Sequence, residues 1–266
     1  MIRIHGWGNF PSIDSEVFFP KSLTASSDLI KNINNLIPRG FGRSYGDSAN
    51  SKKILQSNYL NRFISFDHEN GVLICDAGLS INEILSLIVP RGWFIPVAPG
   101  TSFVSIGGAI ASDVHGKNHH HQGCFSEHLL SFDLMLADGS ITQVSRSHLP
   151  DLFQATCGGM GLTGVIIDVE LYLKRIESKN ISQTTIKSNN LKETYKKNFT
   201  NNNISVENLN DDKKYYNVLT SSIFREVASS QYVPYHVILK WGSIYHRYKR
   251  VVQDSVDILD TCWKDF

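Results

Sequence analysis

The chain has 266 residues, 41% of them hydrophobic, enough for one large domain or two ordinary ones and too apolar for a disordered chain. A formal net charge of +1 sets up no field that would draw the protein to nucleic acid. Cys75, Cys124, Cys157 and Cys262 are widely spaced with no CxxC pair, which argues against a disulfide framework or structural zinc and fits a reducing compartment.

The first residues, MIRIHGWGNFPS, lack the apolar centre of a signal peptide, and residues 1–20 read as an irregular lead-in ending at Pro20. No apolar run approaches the ~20 residues of a spanning helix. A cytoplasmic protein is expected, with peripheral membrane contact left open. Ser26 to Leu36 carries Leu29, Ile30, Ile33 and Leu36 at helical spacing, and Pro38 blocks continuation. Then comes RGFGRSYGD, Arg39 to Asp47. Gly40, Gly42 and Gly46 would cost a helix interior roughly 3 kcal/mol relative to alanine, so the stretch is a tight loop. Exposed N–H groups, the hydroxyls of Ser44 and Tyr45, and the Arg43 guanidinium give it a phosphate-cradling composition. The alternative is a plain surface turn.

Arg62–Phe66 and Gly71–Ala77 read as paired strands about a turn. Ser80 and Glu83 form a capping box that opens a helix with Ile81, Ile84, Leu85 and Ile88 as its buried stripe, ended by Pro90 and Gly92. Trp93–Val97 reads as a short buried strand, which gives a βαβ rhythm. The chain is organised around the next stretch, PGTSFVSIGGAIASDVHGKNHHH, Pro99 to His121. Its density of small residues lets backbone approach a ligand closely. His115, His119, His120 and His121 invite a metal reading. No carboxylate or cysteine completes a ligand set, and adjacent histidines cannot all face one ion, so no metal is expected.

Leu129–Ala137 and Ser140–Val144 form a hairpin about Asp138-Gly139, and Ser147 caps a short helix, Leu149–Ala155. GGMGLTG, Gly158 to Gly164, matches G-x-G-x-x-G. It follows a helix and opens an apolar strand, Val165–Leu173, the reverse of a Rossmann fingerprint, so NAD binding of that kind is not expected. After Lys174 the composition turns to Asn, Lys, Ser and Thr, which places a domain boundary near residue 176, with domains 1–175 and 176–266. Strands at Tyr215–Phe224 and Pro234–Trp241 and a helix at Ile244–Trp263 follow. The short basic run His246–Arg250 is a solvated helix face or a weak membrane contact. Taken together, the three glycine clusters are read as wrapping one phosphate-bearing cofactor, a flavin, held by main-chain amides.

RGFGRSYGD, PGT, GGAIASDVHGKNHH, LADGSI and GGMGLTGV resemble, in content and order, the motifs of the vanillyl-alcohol oxidase and p-cresol methylhydroxylase superfamily. Within it the match is close to the decaprenylphosphoryl-ribose 2-oxidase group and covers Trp7 to Leu173. The resemblance implies an α+β fold: a PCMH-type FAD-binding domain of two α/β subdomains, followed by the start of an α+β substrate (cap) domain. It implies that Arg39, Gly40, Phe41, Gly42, Arg43, Ser44, Tyr45, Gly46 and Asp47 cradle the pyrophosphate of FAD. Gly100, Ser105, Ile106, Gly107 and Gly108 would touch the same cofactor. Ser112, Asp113, Val114 and His115 would line its flavin end, and Val165 its adenine side. His115 and Lys117 are the candidate catalytic residues, for proton transfer and substrate phosphate.

Some relatives attach FAD through a histidine in the first loop. Arg43 stands there in this chain, so non-covalent FAD is expected. The implied reaction oxidises a secondary hydroxyl of a polyprenyl-phosphate sugar, as the oxidase half of a 2-epimerase with an NAD(P)H-dependent reductase as partner. Members of the group run well beyond 266 residues and carry a late catalytic lysine with no assignable counterpart here, so truncation is expected. The alternatives are an inactive FAD-binding remnant or subunit of a split oxidase, and a sugar-lactone or alditol oxidase using oxygen.

Overall fold

The computed structural model describes residues 1–116 and 118–179, with only the backbone of His120 and His121. The elements run β1 (Ile2–His5), β2 (Ser12–Phe18), α1 (Leu23–Asn32), β3 (Leu36–Arg39), β4 (Lys53–Gln56), β5 (Phe63–Asp67), β6 (Val72–Asp76) and α2 (Ile81–Ile88). They continue with β7 (Trp93–Phe94), α3 (Ile106–Ala111), α4 (His119–Gln122), β8 (Leu129–Met135), β9 (Ile141–Ser145), α5 (Pro150–Thr156), β10 (Val165–Tyr172) and β11 (Lys174–Arg175).

A four-stranded sheet has the order β1-β2-β4-β3, with β4 parallel to both neighbours. Covered on both sides, β4 buries Ile54 and Leu55 completely. A five-stranded sheet, β5-β6-β10-β8-β9, is antiparallel throughout. Its central strand β10 is a near-continuous apolar run because it too has neighbours on both edges. The main core lies where α2, α3 and α5 cover this sheet. Ile81, Ile84 and Ile88 of α2 meet Ile106 and Ile110 of α3, with Leu73, Val169 and Leu171 beneath. Each such side chain contributes about 1.5–3 kcal/mol on burial. Phe153 of α5 stacks on Phe132 of β8 at 5.4 Å. A second cluster joins the two sheets: Leu55 and Leu60 pack with Met135, Val165 and Ile167. The α+β class and the two sheet-based subdomains agree with expectation.

Several local readings change. Residues 1–20 hold a hairpin, not an irregular lead-in, because Ile2 to His5 find pairing partners in Ser12 to Ser15. The first helix starts at Leu23, where the Ser22 hydroxyl accepts from the Ala25 amide at 3.1 Å, and it is over before Leu36. Leu36 and Pro38 belong to β3, an edge strand that tolerates a missing N–H. Strand β4 is too short to announce itself in sequence. The expected βαβ unit is absent: β6 has antiparallel neighbours on both sides, and β7, only two residues long, pairs with β11 instead. A left-handed Gly92 after the Val89–Arg91 turn reverses the chain before a crossover can form. Ser147 does not cap α5; Leu149 occupies that position with no side-chain bond, while Ser145 accepts from the His148 amide. The capping box at Ser80 and Glu83 and the Asp138-Gly139 hairpin form as expected. The strands and helix expected beyond residue 200, and Lys117, lie outside the described residues.

Candidate functional site: where the glycine clusters meet

The first glycine loop leaves β3 beside Arg39. That guanidinium is buried and donates to the carbonyls of Ala49 (2.8 Å) and His5 (2.6 Å) and to Asn50 Oδ1 (2.9 Å). Burial first, then the neighbouring Arg43 charge, lowers its pKa from the ordinary arginine value. A Cβ on Gly42 would overlap the Arg39 guanidinium, and its φ of +65° independently favours glycine. Arg39 therefore shapes the loop from behind.

Three observations point to an anion in front. Among the described residues, no amide from Gly42 to Asp47 donates to a protein acceptor. The Ser44 hydroxyl oxygen is buried without a hydrogen-bond partner. Neither Arg39 nor Arg43 has a carboxylate partner among the described residues. The Arg43 cation, six N–H donors without a protein acceptor among the described residues and one orphaned hydroxyl match the donor set a pyrophosphate needs.

The second cluster touches the first at Gly40. A Cβ on Gly40 would overlap Ser105 Oγ and lie 3.1 Å from Ser105 Cβ. Ser105 caps α3, its hydroxyl accepting from the Gly108 amide at 3.2 Å. Here the amide expectation needs correction. The Ile106 N–H donates to Leu79 and the Gly107 N–H to Ala77, both at 2.8 Å, so α3 has no free N-terminal amides among these. Gly107 serves close packing instead, since its Cβ would stand 3.0 Å from that of Ala77. Gly100 has open space where a Cβ would go.

The third cluster closes the other end of α3. The Gly158 amide donates to Ile110 (3.0 Å) and the Met160 amide to Ala111 (2.8 Å), satisfying carbonyls that a helix C-terminus leaves open. A Cβ on Gly161 would lie 3.0 Å from Pro38 Cγ, next to Arg39. All three glycine clusters thus meet around β3 and α3.

Beyond α3, Asp113 has φ +37° and its carboxylate accepts from the Ser126 amide (2.9 Å) and hydroxyl (3.1 Å). Ser112 Oγ lies 3.9 Å from Met160 Sδ. The Val114 amide donates to Ala109. His115 is exposed, bridged through its backbone to Cys124, with its ring 5.3 Å from that of His119. Val165 is buried in the cluster between the sheets. Among the described residues no three His, Cys, Asp or Glu side chains gather as a metal site.

Sequence reasoning passed over two features. Asn118 is buried and donates to the Pro96 carbonyl at 2.9 Å, while its Oδ1 has no partner. The Gly6–Trp7 segment packs against the back of the first loop. Neither could be found without knowing which strands pair.

Residues 15–145 match the FAD binding domain family. This segment is an FAD-binding domain of that family. FAD is therefore its cofactor, and the Gly42–Asp47 amides and Arg43 are the groups that fit its pyrophosphate. The FAD-binding chain is 36% identical over 187 residues to the decaprenylphosphoryl-beta-D-ribose oxidase of Mycolicibacterium smegmatis, covering 66% of this chain and 40% of that one. It is 30% identical over 112 residues to mouse (Mus musculus) L-gulonolactone oxidase, 42% of this chain and 25% of the relative. It is 25% identical over 108 residues to human (Homo sapiens) Delta(24)-sterol reductase, 41% of this chain and 21% of the relative. The chain thus spans two fifths or less of each of these relatives' lengths.

Proposed function

We propose that the protein is an FAD-dependent oxidoreductase that oxidises a secondary hydroxyl of a sugar, with a polyprenyl-phosphate sugar as the favoured substrate. The observation that carries the cofactor half is the meeting of three glycine clusters around a loop whose Gly42–Asp47 amides have no protein acceptor, and whose Arg43 has no carboxylate partner, among the described residues. The substrate half is supported by the 36% identity to an oxidase of a decaprenylphosphoryl ribose. Bound FAD supplies a two-electron acceptor for the hydrogen on the alcohol carbon. The chain's own residues do the rest. The Gly42–Asp47 amides and Arg43 hold the pyrophosphate. Exposed His115, at the far end of the small-residue run, takes the hydroxyl proton at a ring nitrogen. Lys117 is assigned to the substrate phosphate. The resulting keto sugar is the substrate of an NAD(P)H-dependent reductase in a net 2-epimerisation. The site of action is the cytoplasm or the inner face of a membrane; among the described residues no helix is long and apolar enough to cross one.

FAD is held without a covalent bond, because the loop position in question carries Arg43. Acid precipitation of the purified protein should leave the yellow colour in the supernatant; colour in the pellet overturns this. Anaerobic mixing with a prenyl-phosphate pentose should bleach the flavin band. Bleaching by a sugar lactone or alditol with peroxide release would support the second reading, favoured by the similarity to L-gulonolactone oxidase. Bound FAD that none of these reduces would support the third, a binding remnant or subunit of a split oxidase.

A further inference from the structure

We infer that the N-terminal strap His5–Trp7 is a positioning element for the cofactor's pyrophosphate, acting through the glycine loop without touching the phosphates. The inference rests on the FAD reading above. The matched family segment begins at residue 15, so the strap lies outside it.

The Trp7 amide donates to the Ser44 carbonyl at 2.8 Å. Gly6 lies so close that a Cβ would stand 2.5 Å from the Ser44 oxygen and 2.8 Å from the Gly46 oxygen. Asn50 Nδ2 donates to that Gly46 oxygen at 3.4 Å and to the Pro11 carbonyl at 3.3 Å. A trans peptide is planar, so its C=O and N–H point in opposite directions. Turning the Ser44 carbonyl toward the strap turns the Tyr45 N–H away from it. The Gly46 carbonyl does the same for the Asp47 N–H. Both amides lack a protein acceptor among the described residues. The strap thus keeps two acceptor oxygens off the anion's side of the loop and aims two donors toward it.

Trp7 also holds the loop's cation. The Arg43 guanidinium sits over the Trp7 ring at 5.3 Å. Repulsion from Arg39, whose pKa falls partly because of Arg43, would otherwise push that side chain outward. The ring face provides an attraction that needs no carboxylate, so the positive charge stays uncompensated for a phosphate.

The test uses the full 266-residue chain and FAD titration by flavin fluorescence. Gly6→Ala, which drives the strap off the loop, and Trp7→Ala, which frees Arg43, should each weaken FAD binding at least about fivefold. Trp7→Phe should recover most of the loss, and Gly8→Ala, with no atom within 4 Å of the added methyl, should stay within twofold. In Gly6→Ala the ³¹P resonances of bound FAD should move while the visible flavin spectrum does not; general loosening of the domain would move both. If Gly6→Ala fails to fold, the Trp7→Ala and Trp7→Phe pair decides. Binding within twofold of wild type in the folded variants, or equal loss in Trp7→Phe and Trp7→Ala, overturns the inference alone. A wild-type chain that takes up no FAD overturns it together with the reading it rests on.

Discussion

Gly40 is a point where the first and second glycine clusters touch, and replacing it with alanine isolates that contact. Gly40 does not adopt a positive φ, so backbone strain plays no part. The whole effect is the new methyl, which would overlap Ser105 Oγ and lie 3.1 Å from Ser105 Cβ. Ser105 is 3% exposed and has no room to retreat. Displacing its hydroxyl breaks the bond to the Gly108 amide that starts α3. Loss of an N-cap costs ~1 kcal/mol, within a range of about 0.5–2. For a domain of this size each 1 kcal/mol lowers the melting temperature by about 2–4 °C. The larger effect falls on the cofactor, because the methyl pushes the phosphate loop away from α3; FAD should bind about tenfold more weakly. The assay is thermal unfolding of the apoprotein together with fluorescence titration of FAD. Gly40→Ala/Ser105→Gly should recover most of both, since glycine at an N-cap costs only about a few tenths of a kcal/mol and removes the clashing atoms. A Gly40→Ala protein that melts and binds FAD like wild type would refute the convergence of the two clusters.

Other expectations follow from the same geometry. Asp76, Asp168 and Asp133 stand side by side across β6, β10 and β8, with Arg62 bound to Asp76 at 2.9 Å. Burial first, then Asp133 and Asp76, pushes the Asp168 carboxyl up from 3.8 to about 6. The folded state therefore holds a proton that the unfolded chain releases, so stability is highest below pH ~4 for this group and falls as pH rises toward ~6. Asp168→Asn should remove that fall and raise the melting temperature at pH 7.5. Two pH units would bound the gain near 3 kcal/mol, and solvent screening of the partly buried group reduces it to about 1. A variant no more stable than wild type at pH 7.5 contradicts this. Ser80→Ala removes the hydroxyl that accepts from the Glu83 amide at 3.1 Å. Chemical denaturation should show a loss of ~1 kcal/mol with FAD affinity unchanged. Phe153→Ala empties the fully buried site stacked on Phe132 and should cost about 3–5 kcal/mol, read by the denaturation midpoint. Arg39→Lys keeps the charge but cannot serve three acceptors in a fork, so it should lower both stability and FAD affinity; an unaffected titration would show that Arg39 does not shape the loop.

Several local rules legible in the chain survived where the partner was near in sequence, though the cap assigned to Ser147 did not. Ser80 and Glu83 form their box because both ends of the interaction lie within one turn. Asp138 and Gly139 reverse the hairpin because Gly139, at φ +76°, and the Asp138 carboxylate, which accepts from Ser140, suffice for that turn. The three glycine clusters stood out by composition alone. What failed was chiefly strand pairing. In residues 1–20 the β1–β2 hairpin is local yet not legible, and β2 has its other neighbour in β4, with Glu16 opposite Lys53. The βαβ rhythm misled because strand order, not strand sequence, decides whether a neighbour is parallel.

Taken alone, the amino-acid order determined which segments cannot be ordinary helix or strand and supplied the chemistry of a phosphate site: glycines, hydroxyls and an arginine close together. Tertiary structure decided which of those groups remain available. The amides of Ile106 and Gly107 are taken by Leu79 and Ala77, whereas among the described residues those of Gly42 to Asp47 have no protein acceptor, because the N-terminal strap holds the Ser44 and Gly46 carbonyls on the far side of the loop. A backbone donor carries no mark in sequence of whether it already has an acceptor; only the folding of distant strands against one another assigns it.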